Sequence, residues 1–138
     1  MPVRTSEAEW EGDLRDGTGT MALGSGAYEG EYSYVSRFEE GDGTNPEELI
    51  GAAHAGCFSM ALAGNLAKAG HEPDRIHTQA HVHLEDGQIA RIVLEVDADV
   101  PDIDDDEFRE QAEEAKQNCP VSQALSGGPT IELDASLA

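Results

Sequence analysis

The sequence predicts an α+β fold in a single domain. The first third is made of short β-forming segments between glycine turns, one long helix follows with a marked start and stop, and a hairpin signal centres on Asp86-Gly87. At 138 residues the chain is long enough for a core without disulfide staples and too short for a second domain. Ala8 to Leu14, Thr18 to Leu23 and Glu31 to Val35 read as strands of a small antiparallel sheet, separated by Asp16-Gly17 and by Gly24 to Gly30. Thr44-Asn45-Pro46-Glu47-Glu48 supplies a capping residue, a proline for the first helical position and acids for the first turn. That helix is predicted to run to about Ala69, with Gly70 as its stop. Arg75 to Glu85 and Gln88 to Asp99 form the hairpin. A second helix opens at Asp104 and runs to about Asn118, Cys119-Pro120-Val121-Ser122 starts a short third one, and Thr130 to Ser136 alternates as a last strand.

The formal charge is −21, from 29 acidic against 8 basic residues, and only Lys68 and Lys116 are lysines. A nucleic-acid partner is therefore excluded. The acids are interleaved with apolar periodic segments, apart from the run Asp102 to Glu107, so the composition describes a folded acidic surface rather than a disordered chain. Scarce lysine on such a surface fits a protein working in concentrated salt, where screening to about 3 Å at 1 M relieves self-repulsion. The N-terminal MPVRTSEAEWEGDL has neither the basic nor the apolar region of a signal peptide, which predicts a cytoplasmic protein with reduced thiols.

From Leu49 to Ala67 the long helix carries no formal charge. Gly51, His54, Gly56, Ser59, Gly64 and Asn65 dilute its hydrophobicity and its leading flank is acidic, so the reading is a buried helix and not a membrane span. A helix apolar all round needs cover on several faces, and a small chain with seven aromatic residues supplies little of it. A homodimer sharing this helix is expected.

Chemistry points to two cysteines, Cys57 in that helix and Cys119 before Pro120. Their separation rules out a local zinc or CxxC motif, but thiols distant in sequence can meet in space as nucleophile and resolver of a peroxide-reducing centre. Taken singly, each would read as a small buried hydrophobe.

The stretches TNPEELIGAAHAGCFSMAL (Thr44 to Leu62) and AKQNCPVSQAL (Ala115 to Leu125), with AEWEGDLRDGTGT and the Ser36-Arg37-Phe38-Glu39 segment, closely resemble the OsmC subfamily of the OsmC/Ohr peroxiredoxin-like proteins. The resemblance implies antiparallel sheets around a long central helix bearing Cys57, in an intertwined homodimer with two active sites at the subunit interface. It further implies reduction of organic hydroperoxides without metal, flavin or other cofactor, in defence against oxidative and osmotic stress, and leaves hydrogen peroxide open as a second substrate. By the same carry-over Cys57 matches the peroxidatic cysteine, Cys119 the resolving cysteine, Arg37 the activating arginine and Glu48 the acid that pairs with it. The resulting disulfide is reopened by an external dithiol, a lipoyl protein being one such reductant.

Physical chemistry is consistent with those roles. Cys57 lies too deep in its helix for that helix's N-terminus to lower a thiol pKa near 8.5. A guanidinium about 4 Å away, at an effective dielectric of 20, contributes roughly 4 kcal/mol, or up to about three pKa units before desolvation is subtracted. Arg37 is expected to supply it, buried with Cys57 beneath Phe38 and Phe58, which would form the apolar substrate surroundings. Glu48 is expected either to fix the guanidinium bidentately or to close a capping box with Asn45, and the two roles are compatible. Cys119 gains from the helix start at its Cys-Pro junction.

Two other enzyme or metal readings follow from the histidines. His54, three residues before Cys57, allows a Cys-His hydrolase dyad, although a packed core histidine is the plainer reading. His77, His81 and His83 share a strand face that suits either a metal or, by default, solvent. Outside enzymology, a redox-silent dimeric binding module fits the same composition and would keep its thiols in the presence of peroxide.

Overall fold

The computed structural model describes residues 2–138 and divides into two compact units, one ending at Leu49 and the other beginning at Ile50. The first unit holds β1 (Ser6–Glu11), β2 (Thr18–Leu23) and β3 (Glu29–Tyr32), an antiparallel sheet in that order. Trp10 and Tyr32 lie on one face with ring centroids 5.3 Å apart. Between them sits Gly19, where a Cβ would come within 2.6 Å of both rings, so only glycine fits. The expected third strand ends early. Ser33 takes extended geometry and caps α1 (Tyr34–Phe38), accepting from the Ser36 amide while the Ser36 hydroxyl accepts from the Ser33 amide. Residues 34 and 35, read as strand from their β propensity, are thus helical because the local Ser-x-x-Ser cap outweighs it. Gly43, at φ +107°, turns the chain back, and the Thr44 amide donates to the Glu31 carbonyl.

The long helix α2 (Pro46–Lys68) starts where the sequence places it, with the Asn45 side chain accepting from the Glu48 amide at 2.7 Å. It stops at Gly70 (φ +91°), where His71 donates to Leu66 and Gly70 to Ala67. In the second unit β4 (Arg75–Glu85) and β5 (Gln88–Asp99) pair antiparallel across Asp86 and Gly87, both at positive φ as a two-residue hairpin turn requires. Then come α3 (Asp105–Asn118), capped by Asp104, and α4 (Pro120–Leu125). They carry the chain over to β6 (Thr130–Leu137), which pairs parallel with β5 and makes the second sheet mixed.

The core lies in this second unit. Ile92, Leu94, Val96 and Ala98 alternate inward from β5, Phe108, Ala112 and Ala115 line one stripe of α3, and Phe58, Leu62 and Leu66 come from α2. Gly51 lets α2 approach β4 closely, since a Cβ there would lie 3.3 Å from Val82. Length and composition alone would let α2 cross a membrane, but its acidic first turn and the buried row Gly51, His54, Phe58, Leu62 and Leu66 fit a core helix. The opposite row, Ala52, Ala53, Gly56, Met60, Gly64 and Ala67, is exposed, with Met60 at 79%. Thus the helix, apolar on all sides, is covered on one side only. On β4, His77 and His81 face solvent, and the described residues contain no grouping of histidines, cysteines and acids able to hold a metal ion.

Candidate active site

Two clusters carry the chemistry, one in each unit. In the second unit, Cys119 is where α3 ends and α4 begins. Its own amide donates to Ala115, closing α3, and its position before Pro120 holds it at φ −65°, ψ 132°. In that geometry the sulfur caps α4, accepting from the Ser122 amide at 3.4 Å. Cys119 is fully buried. Cys57, half-buried on α2, packs against the same core and interacts with the Cys119 thiol, and both cysteines are free. Burial is the main influence on Cys57 and pushes its thiol up, a hydrogen bond from the Val121 backbone pulls it down, and the Cys119 thiol raises it further. The helix start that serves Cys57 is therefore that of α4, not of its own helix. The groups that move its pKa are thus its own burial, the Val121 backbone and the Cys119 thiol.

His54 is fully buried, and its Nε2 lies 2.7 Å from the Ser122 hydroxyl while its Nδ1 has no partner among the described residues. Its one hydrogen bond thus goes to Ser122 and not to Cys57. Burial alone pushes the imidazole below the ordinary histidine value of 6.5. A depressed folded-state pKa means that the unfolded chain binds the extra proton first. The stability contributed by neutral His54 is then complete above about 6.5 and is lost as the pH falls through the folded-state value. Denaturant midpoints should fall as the pH drops from about 6.5 towards that value, and the fall should shrink in His54→Phe.

The first unit presents the cation. Arg37 meets Glu47 through two parallel hydrogen bonds, Nε to Oε1 and Nη2 to Oε2, each 3.0 Å. The Glu47 side chain is only 9% exposed, and this pairing is the chief reason that the guanidinium pKa is raised and its charge secure. The acid expected for this role, Glu48, is turned elsewhere: it accepts from the Thr44 hydroxyl at 2.8 Å, while its amide is capped by Asn45. Adjacent helical positions point about 100° apart, so only one of the two glutamates can face Arg37. Glu48 also makes only half of the expected capping box. Arg37 lies over the Phe38 ring at 5.1 Å and, with Trp10, Leu14, Tyr32, Tyr34 and Phe38, lines a cleft of ≈ 440 Å³. Arg37 and Phe38 remain 39% and 45% exposed, not buried as expected. Phe58 is 0% exposed in the core and so lines no open cleft, contrary to the expected substrate-contact role. Helical periodicity accounts for this, since Phe58 falls on the buried row with His54 and Leu62.

An OsmC-like protein family model matches residues 39–134. The chain belongs to the OsmC family. It is 44% identical over 134 residues to peroxiredoxin OsmC of Escherichia coli K12, covering 94% of each chain. It is 35% identical over 100 residues to an organic hydroperoxide resistance protein of Xanthomonas axonopodis pv. citri, covering 67% of each. Among solved structures, an organic hydroperoxide resistance protein of Elizabethkingia anophelis superposes with a TM-score of 0.74 at 26% identity over 99% of both chains. Membership fits the residues above: Cys57 and Cys119 adjoin in space, as an OsmC cysteine pair is expected to.

Proposed function

We propose that the chain is a cysteine-based peroxidase that reduces organic hydroperoxides to alcohols. The observation that carries this reading is the meeting of two free thiols, Cys57 half-exposed and Cys119 buried, at the start of α4. The Cys57 thiolate attacks the terminal peroxide oxygen, the O–O bond breaks, and the alkoxide leaves as alcohol once protonated. Cys57 is left as a sulfenic acid, which Cys119 converts into a disulfide with release of water. An external dithiol then restores both thiols by exchange.

Because burial raises the Cys57 pKa in the single chain, the reaction needs a cation, and Arg37 is the one already oriented by a buried acid. Glu47 takes the place first given to Glu48. Phe38 and the apolar wall beside it suit the carbon chain of an organic peroxide, with Arg37 aimed at its oxygens. We place this site at the interface of a homodimer. Two features support that assembly: the bare row of α2 around Met60, and a first unit in which no hydrophobic side chain among the described residues is fully buried. The setting is cytoplasmic, with no cofactor. Turnover of an alkyl hydroperoxide with dihydrolipoamide as reductant tests the reading. Sustained peroxide loss that requires protein and dithiol together is the expected outcome, and no loss above the dithiol blank would sink it.

A further inference from the structure

In the proposed reaction Cys119 must give up its thiol proton from a buried position. Its sulfur is 0% exposed, and the attack on Cys57 requires a thiolate. The side-chain group beside it is the Ser122 hydroxyl at 3.3 Å, and that oxygen lies 2.7 Å from His54 Nε2. All three side chains are nearly or fully buried, with Ser122 4% exposed. The three sit on separate features of the second unit: His54 on α2, Cys119 at the α3–α4 junction and Ser122 in the first turn of α4.

We propose that His54 and Ser122 form a proton relay that activates Cys119 for disulfide closure, a role that rests on the peroxidase reading. In the tautomer carrying its proton on Nδ1, His54 offers a bare Nε2, the serine hydroxyl donates to it, and the Cys119 thiol donates to the serine oxygen. One concerted shift moves the thiol proton to Ser122 and the serine proton to Nε2. The thiolate then attacks the Cys57 sulfur, the sulfur–sulfur bond forms and the S–O bond breaks. The departing hydroxide takes up the one proton held by His54 and leaves as water, which returns His54 to its neutral form. Cys119 is oxidised, the Cys57 sulfenyl sulfur is reduced by the same amount, and no further oxidant is needed. Burial disfavours the imidazolium, so His54 rests neutral and the proton is held on it only in passing. The unpartnered Nδ1 disfavours prolonged storage of the charge, which suits a relay more than a fixed ion pair. In this scheme Ser122 exchanges a proton with the reacting Cys119 sulfur and His54 acts through Ser122, and neither residue is assigned a contact with the peroxide.

The test separates the two chemical steps. Reduced wild type, Ser122→Thr, Ser122→Val and His54→Phe, each first confirmed as folded by circular dichroism, are mixed with one equivalent of cumene hydroperoxide. Cys57 sulfenic acid is followed by dimedone trapping, and disulfide closure by intact mass. Thr and Val have the same shape, but only Thr keeps the hydroxyl. Closure is expected to slow about 10²-fold in Ser122→Val and His54→Phe, with sulfenic acid accumulating, and to recover in Ser122→Thr. Equal closure rates in the Thr and Val variants would overturn the relay while leaving the peroxidase intact. Absence of sulfenic acid and of disulfide in the wild type would overturn both.

Discussion

Cys57→Ser is expected to abolish peroxide-driven thiol loss altogether, whereas Cys119→Ser should react once and stop at the sulfenic acid. The asymmetry follows from exposure. Cys57 is half-buried and within reach of a small peroxide, while Cys119 is sealed at the α3–α4 junction and can react only with what Cys57 becomes. In Cys57→Ser the remaining thiol therefore stays reduced on the assay timescale. In Cys119→Ser the trapped sulfenic acid has no resolving thiol, so turnover with dithiol falls sharply and over-oxidation sets in at excess peroxide. Dimedone labelling and intact mass distinguish these states. Peroxide-dependent oxidation of Cys119 in the Cys57→Ser protein would reverse the assignment.

Arg37→Met should slow Cys57 oxidation by about 10²–10³-fold, the range for loss of one oriented donor to a developing oxyanion. In the proposed dimeric site it should also leave the Cys57 pKa higher, because Arg37 is the cation assigned to Cys57 there. Glu47→Gln should cost less, roughly tenfold, because an amide can hold one guanidinium nitrogen but not both as a charged fork does. Glu48→Gln should leave the rate near the wild-type value, its carboxylate being engaged with Thr44. Single-turnover rates across pH check all three. A larger effect at Glu48 than at Glu47 would restore the original pairing and contradict the observed geometry.

Much of the fold was legible because its local signals are chemical. Asp86-Gly87 favours a two-residue turn at positive φ, Asn45-Pro46 followed by acids favours a helix start, and Gly70 can end one with a left-handed residue. What stayed hidden depends on facing. Glu47 and Glu48 are indistinguishable as letters, and which of them meets Arg37 is set by the phase of α2 relative to α1, a short helix whose capping Ser33 lies inside a stretch read as strand. Phe58 is expected from the sequence to help cover a buried Arg37–Cys57 pair, yet helical phase turns it into the core. The His54–Ser122–Cys119 chain joins residues 68 and 3 positions apart in sequence. Its only sequence signal was a histidine inside an apolar helix, correctly read as a core residue but with no indication of its partner.

The central claim is that Cys57 and Cys119 together form one redox centre, and a thiol count tests it most directly. Reduced protein is titrated before and after one equivalent of cumene hydroperoxide per chain, with the cross-link then mapped by peptide mass. Loss of both thiols and a Cys57–Cys119 disulfide within each chain is the predicted result. Two surviving thiols in the folded protein, or a disulfide linking other partners, would contradict it.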